Sequence, residues 1–244
     1  MIEKQNRNAH IGRNVESLFK NSIIDHPSVI NNIKDRFKIS GDYEAAITSG
    51  IHGEKADVKL GFSCGHNIDA NIKAYKGSGF NQLTRASVSR FADLFNLNEN
   101  EQRNLEEIVT EKSKNTKNHL FVRKDDIVIW NHFFNTNLKK ILKWGFSFKS
   151  SREILVLYSR DANTMRIYTM KDVLSKIPKK VTFTRGGANI GGCVLLQRKG
   201  GNGSLSKTIP KHDIKHPGND IQLKLKVSKL VNLLEDVIVA EYIV

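Results

Sequence analysis

From Asn14 onward the apolar residues recur at helical spacing. Val15, Leu18, Phe19, Ile23 and Ile24 form one stripe, and Val29, Ile30, Ile33 and Phe37 continue it. Pro27 divides the stripe into two predicted helices, with Asp25 as the N-cap of the second. Residues 1–14 carry no such stripe and are expected to fray. Residues 43–47 are assigned to a short helix and residues 50–55 to a turn. The period then changes to two. Residues 56–60 and 68–75 alternate in character and read as paired strands, joined by a glycine-containing turn over 63–67.

Residues 84–115 return to a helical stripe through Val88, Phe91, Leu94, Leu105 and Ile108. Residues 124–144 form another through Ile127, Trp130, Phe133, Phe134, Leu138 and Ile141. The last third reads mostly as sheet, with strands predicted at 154–158, 165–168, 181–184, 192–197 and 221–227. Short helices are predicted at 171–177 and 228–236. No repeat and no linker-like stretch interrupts the chain. The expected fold is therefore α/β: a single domain over residues 1–244, with a mixed central β-sheet flanked by helices.

Composition narrows the function. Among 244 residues, 39 Lys and Arg stand against 25 Asp and Glu, a net charge of +14. Such an excess favours a polyanionic partner, because each neutralised phosphate releases counterions. Hydrophobic residues at 39% and charged residues at 26% describe an ordinary globular chain, not a disordered one. No apolar run reaches the roughly 18 residues of a membrane helix, so a membrane association is not expected. The polar N-terminus lacks a signal-peptide core, which makes a cytoplasmic location the expectation. Cys64 and Cys193 alone make neither a disulfide scaffold nor a zinc site.

The chemistry-bearing residues gather on the predicted hairpin. Asp57 ends one strand-like segment, and Asn71 and Lys73 lie two apart on the next, so they share a face. Metal-dependent phosphodiester hydrolysis uses this set. A carboxylate holds a hard cation, and a lysine orients the water or offsets charge. Asn71 offers an amide oxygen, and the Ile72 carbonyl is a further candidate ligand. A solvated strand face fits the same spacing, and Asp69 is a competing carboxylate on it. Gly77-Ser78-Gly79-Phe80-Asn81-Gln82 is a glycine-flexed loop with an aromatic and two amides at its tip. Amides read base edges and an aromatic can wedge between base steps; a turn with Phe80 in the core is the plainer alternative. Gln197-Arg198-Lys199-Gly200-Gly201 suits phosphate oxygens. Gln222 and Lys224 share a strand face as a base-reading pair or as an exposed polar face. His212 and His216 are four apart but run into Pro217-Gly218, and the Cys64–His66 pair has nothing to orient it.

Taken in order, five segments resemble the small type II restriction endonucleases of the MspI and HinP type, which use a divergent PD-(D/E)xK nuclease core. They are Lys55-Ala56-Asp57-Val58, Asn71-Ile72-Lys73, Gly79-Phe80-Asn81-Gln82, Gln197-Arg198-Lys199-Gly200-Gly201 and Asn219-Asp220-Ile221-Gln222-Leu223-Lys224. Ala56 departs from the family, where proline or a small polar residue is usual, and the gap from Asp57 to Asn71 is shorter. The resemblance implies a restriction-endonuclease-like fold with Mg2+ as cofactor. Asp57 would bind the metal, Asn71 would stand at the second acidic position, and Lys73 would be the active-site lysine. Glu44 would be an upstream acid. Phe80, Asn81, Gln82, Arg198, Lys199, Gln222 and Lys224 would meet double-stranded DNA. The implied activity is cleavage of both strands at a short, four-base, G·C-rich palindrome. A homodimer or transient dimer and a cognate DNA methyltransferase acting on the same site would accompany it. Two other functions fit the residues: a basic nucleic-acid-binding protein without catalysis, and a repair nickase on the same core.

Overall fold

The computed structural model describes residues 7–48, 57–77, 79–121, 127–201 and 208–244. Helices α1 (Arg7–Ser22) and α2 (Pro27–Phe37) lead into strands β1 (Tyr43–Thr48), β2 (Val58–Phe62), β3 (Asn67–Tyr75) and β4 (Phe80–Ala86). Helices α3 (Val88–Phe95), α4 (Glu99–Lys114) and α5 (Ile127–Phe146) follow, then strands β5 (Glu153–Ser159) and β6 (Thr164–Thr169) and helix α6 (Met170–Lys176). Strands β7 (Val181–Thr184), β8 (Gly187–Ile190), β9 (Val194–Arg198) and β10 (Ile221–Lys226), helix α7 (Val227–Leu233) and strand β11 (Ala240–Ile243) complete the order. The α/β class with a mixed, helix-flanked sheet is what the chain forms. The chain divides into two compact units, residues 1–79, 148–176 and 230–244, and residues 80–147 and 177–229.

The first unit holds a six-stranded sheet in the order β1-β2-β3-β5-β6-β11. Only β3 and β5 run parallel, and the long excursion of the chain between them is the crossover that a parallel pair requires. Val15, Phe19 and Ile23 of α1 and Ile33 of α2 pack with Leu60, Ile68, Ala70 and Ile72 in one core. Burying a side chain such as Phe19 stabilises the fold by about 1.5–3 kcal/mol. Because Ile68, Ala70 and Ile72 face this core, Asp69, Asn71 and Lys73 are turned to the other face.

The second unit holds an antiparallel sheet in the order β4-β10-β9-β8-β7. Leu196, Leu223 and Leu225 line its buried face. Phe91, Phe95, Phe133 and Trp144 form an aromatic cluster with ring centroids 4.6–6.0 Å apart. Helix α5 approaches the sheet at Gly145, where a Cβ would lie 2.8 Å from Leu223 Cδ1.

Several boundaries differ from expectation. Helix α1 starts at Arg7, because Ile11 adds a turn to the stripe and packs against the core. Asp25 does not cap α2: it ends a short 3-10 turn, and His26 is the N-cap with Pro27 pre-setting the first helical φ. Residues 43–47 are strand, not helix, since pairing with β2 overrides the helical propensity of Glu-Ala-Ala. Residues 84–86 belong to β4, and the long helix expected over 84–115 is two. The left-handed Asn96 ends α3, and Asn98 starts α4 with a capping box to Glu101. The periodicity predicts neither β8 nor β11, and residues 80–82, expected within a loop, belong to β4. The expected turn at 50–55 lies outside the described residues.

Candidate active site

Asp57 stands just before β2. Val58 pairs with Ala70 in the last register position of the β2–β3 pair, and Asp57 directly precedes it. Its N–H donates to the Ala70 carbonyl at 3.0 Å. The next β3 amide on that edge donates to the Asp57 side chain: Ile72 N–H to Oδ2, 2.6 Å. An extended residue projects its N–H and C=O from the same edge, so the Ile72 carbonyl faces this gap too. Lys73 Nζ lies 3.8 Å from the same Asp57 oxygen, with the two side chains 27% and 25% exposed. That separation is a loose ion pair, not a hydrogen bond, and it leaves the ammonium free to reach a further acceptor. Asn71 is only 8% exposed. These contacts gather Asp57, the Ile72 backbone and Lys73, with Asn71 between Ala70 and Ile72 on the same strand.

A second carboxylate arrives from an unexpected element. Glu16, half-buried on α1, is held above the usual carboxylate range. Burial is the main cause; the Asp57 charge adds to it, and Lys73 and Arg13 offset part. Glu16 therefore lies within electrostatic reach of Asp57 and Lys73, whereas the resemblance looked to Glu44 for an upstream acid. Glu44 is exposed on β1, whose neighbour Tyr43 pairs with Phe62 at the far end of β2 from Asp57. Sequence reasoning passed over Glu16 because it flanks the core stripe between Val15 and Phe19. The signal was its position on the first helix, which packs on β3.

Asp69 shares the face of Asn71 and pairs with Glu153 across β3 and β5. Glu153 is 3% exposed, and its Oε1 accepts the N–H groups of Lys149 (2.8 Å) and Ser150 (2.7 Å). Burial raises its pKa, the two amides lower it, and Asp69 raises it further.

In the second unit, Phe80 is 52% exposed, which removes the alternative of a core-packed ring. Gln82 is exposed and pairs with Lys224 across β4 and β10, whereas Asn81 pairs with the buried Leu225 and turns to the opposite face. Gln222 is buried, and its amide donates to the Lys199 carbonyl at 3.3 Å. Arg198 is half-buried, and its Nε donates to Asn219 Oδ1 at 2.6 Å; burial lowers its pKa. Asn219 in turn donates to the carbonyls of Lys211 and Asp213, so it fixes both the loop and the guanidinium. Lys199 Nζ donates to the Pro217 carbonyl at 3.3 Å. His212 is exposed and His216 buried in a turn, not along one helix face, and His216 Nδ1 accepts the Gly218 N–H.

Among the described residues no group of three or more His, Cys, Asp or Glu is placed to hold a metal. The contacts present join one carboxylate, Asp57, to the Ile72 amide and Lys73, with Glu16 in electrostatic reach of both side chains. Among the same residues no helix is long and apolar enough to cross a membrane.

No protein-family model matches the chain, and no curated protein matches it. Among solved structures, the chain is similar to the restriction endonuclease MspI in complex with its cognate DNA. The two are 10% identical with a TM-score of 0.45, over 86% of this chain and 82% of that one. A likeness at that level adds no weight to the site, which stands on its own residues.

Proposed function

We propose that this protein is a magnesium-dependent endonuclease of the type II restriction kind, which hydrolyses both strands of DNA at a short sequence. The observation that carries the reading is one carboxylate, Asp57, bound by the Ile72 amide with Lys73 Nζ at 3.8 Å and the Glu16 charge beside it. The donor set suits a hard cation, since Mg2+ takes one or two carboxylates and keeps several waters. Asp57 and Glu16 would hold it, with the Asn71 amide oxygen and the Ile72 carbonyl assisting. When bound, the cation supplies Lewis-acid stabilisation of charge on the phosphate.

The protein's own groups do the rest. The Ile72 amide fixes the Asp57 carboxylate. Lys73 orients the attacking water and offsets the charge that develops on the phosphate. Products carry 5′-phosphates. Phe80, Gln82 and Lys224 meet the DNA, with Arg198 and Lys199 on its backbone. A palindromic site is cut by two copies or in two successive events. A cognate methyltransferase protects the same site without forming a stable complex.

The test is supercoiled plasmid with Mg2+, using wild type, Asp57→Ala and Lys73→Ala. Discrete linear fragments are expected from wild type, with a loss of about a thousandfold or more in each variant. Unchanged cutting by both variants contradicts the site. Nicked circles alone would mark a single-strand enzyme, and salt-sensitive binding without cleavage would mark a binding protein.

A further inference from the structure

The outward face of the second sheet carries more than the residues assigned above. Strand register places Gln82, Lys224, Leu195, Asn189 and Thr182 in one row across β4, β10, β9, β8 and β7. The adjacent row continues from Gln222 to Gln197 and then to Gly187. A Cβ at Gly187, φ +155°, would lie 2.0 Å from the Leu196 carbonyl oxygen, so that place is bare of any side chain. Neither row contains a carboxylate, which suits a polyanion. Gln222 is committed to the Lys199 carbonyl. Among the described residues, no partner holds the side chains of Lys224, Gln197 or Asn189.

We infer that Gln197 and Asn189 are specificity-determining residues that read adenine, so the recognition sequence contains A·T pairs. This rests on the reading of the chain as a DNA-acting protein, and it departs from the G·C-rich site implied by resemblance. Neighbouring strands are about 4.8 Å apart, so β10, β9 and β8 together span about 10 Å. That fits within a major groove about 12 Å wide. Across those three strands the face presents Lys224, Leu195, Asn189 and Gln197. The amides match the paired donor and acceptor of adenine, lysine matches guanine, and an apolar side chain matches the thymine methyl.

The experiment is selection from a duplex library with eight randomised base pairs, in Ca2+ so that binding is scored apart from cleavage. Wild type is expected to enrich a motif with at least one A·T pair. Asn189→Ala and Gln197→Ala should each relax one such position by about 5- to 150-fold, the span of one bidentate contact. The isosteres Asn189→Asp and Gln197→Glu preserve shape and remove the amide donor, so preference should move toward cytosine. Such a change of letter cannot come from misfolding. A motif made only of G·C pairs, no motif at all, or the wild-type motif kept by all four variants would overturn the inference. A motif that depends on these residues, without cleavage in Mg2+, would sink the nuclease reading and leave this one standing. Cleavage in Mg2+ without any motif would do the reverse.

Discussion

At the scale of single residues, the account turns on Asp57 and Glu16. Burial, with the Asp57 charge adding to it, raises the proton affinity of Glu16, and a bound cation would offset both effects. Because the fold raises the pKa of Glu16, the folded state binds its proton more tightly than the unfolded chain does, so stability falls as pH rises past the ordinary carboxylate value. Glu16→Gln should therefore raise the melting temperature of metal-free protein at neutral pH, read by calorimetry. The same variant should slow Mg2+-dependent cleavage by about a hundredfold or more, the scale of one lost charge-stabilising group. A melting temperature that drops would show Glu16 to be a structural group instead. The nearness of Asp57 and Lys73 was legible because the two strand-like segments read as a hairpin. Glu16 was not, since its contribution depends on how α1 lies on β3.

At the scale of elements, buried polar anchors decide more than periodicity. Lys112, at the end of α4, donates to the carbonyls of Thr116, Asn118 and Arg185, and so ties the helix end to the β7–β8 turn. Burial lowers its pKa, with Arg185 and Arg198 adding to the effect. Lys112→Met keeps the stem and removes the donors. Denaturant unfolding should show a loss of about 1.5–3 kcal/mol, the range for hydrogen bonds to a charged group. No change in the unfolding midpoint would mean the three bonds contribute nothing net. Asn219→Ala should free Arg198 and loosen the loop after β9, seen as faster hydrogen exchange there. Periodicity found the hairpin and the long helices. It missed β1, where sheet pairing overrides propensity, β4, read as a loop running into a helix, and the short β8 and β11.

At the scale of the whole molecule, charge and buried phenols set the response to solution conditions. With a net charge of +14, non-specific duplex binding should weaken by about a thousandfold or more between 50 and 200 mM salt, as for six or more phosphate contacts. A flat salt profile would contradict a phosphate-binding surface. Burial pushes Tyr168 and Tyr242 up to about 12 and the Cys193 thiol to about 11. Each is an acid whose neutral form the fold prefers, so its contribution is intact below the ordinary pKa. It is lost as pH climbs from about 9–10 to about 11–12. Melting temperature should decline across that alkaline window. The charge excess was legible from composition. The division into two units was not, because each unit is assembled from segments far apart in the sequence, not from one continuous stretch.

The central claim is that the Asp57 carboxylate, fixed by the Ile72 amide beside Lys73, is the cation-holding group of a DNA-hydrolysing site. Asp57→Asn removes the negative charge and leaves the shape nearly intact. Single-turnover cleavage of end-labelled duplex in Mg2+ should slow by at least about a thousandfold, with DNA affinity in Ca2+ unchanged or slightly higher. Cleavage within about threefold of wild type would contradict it.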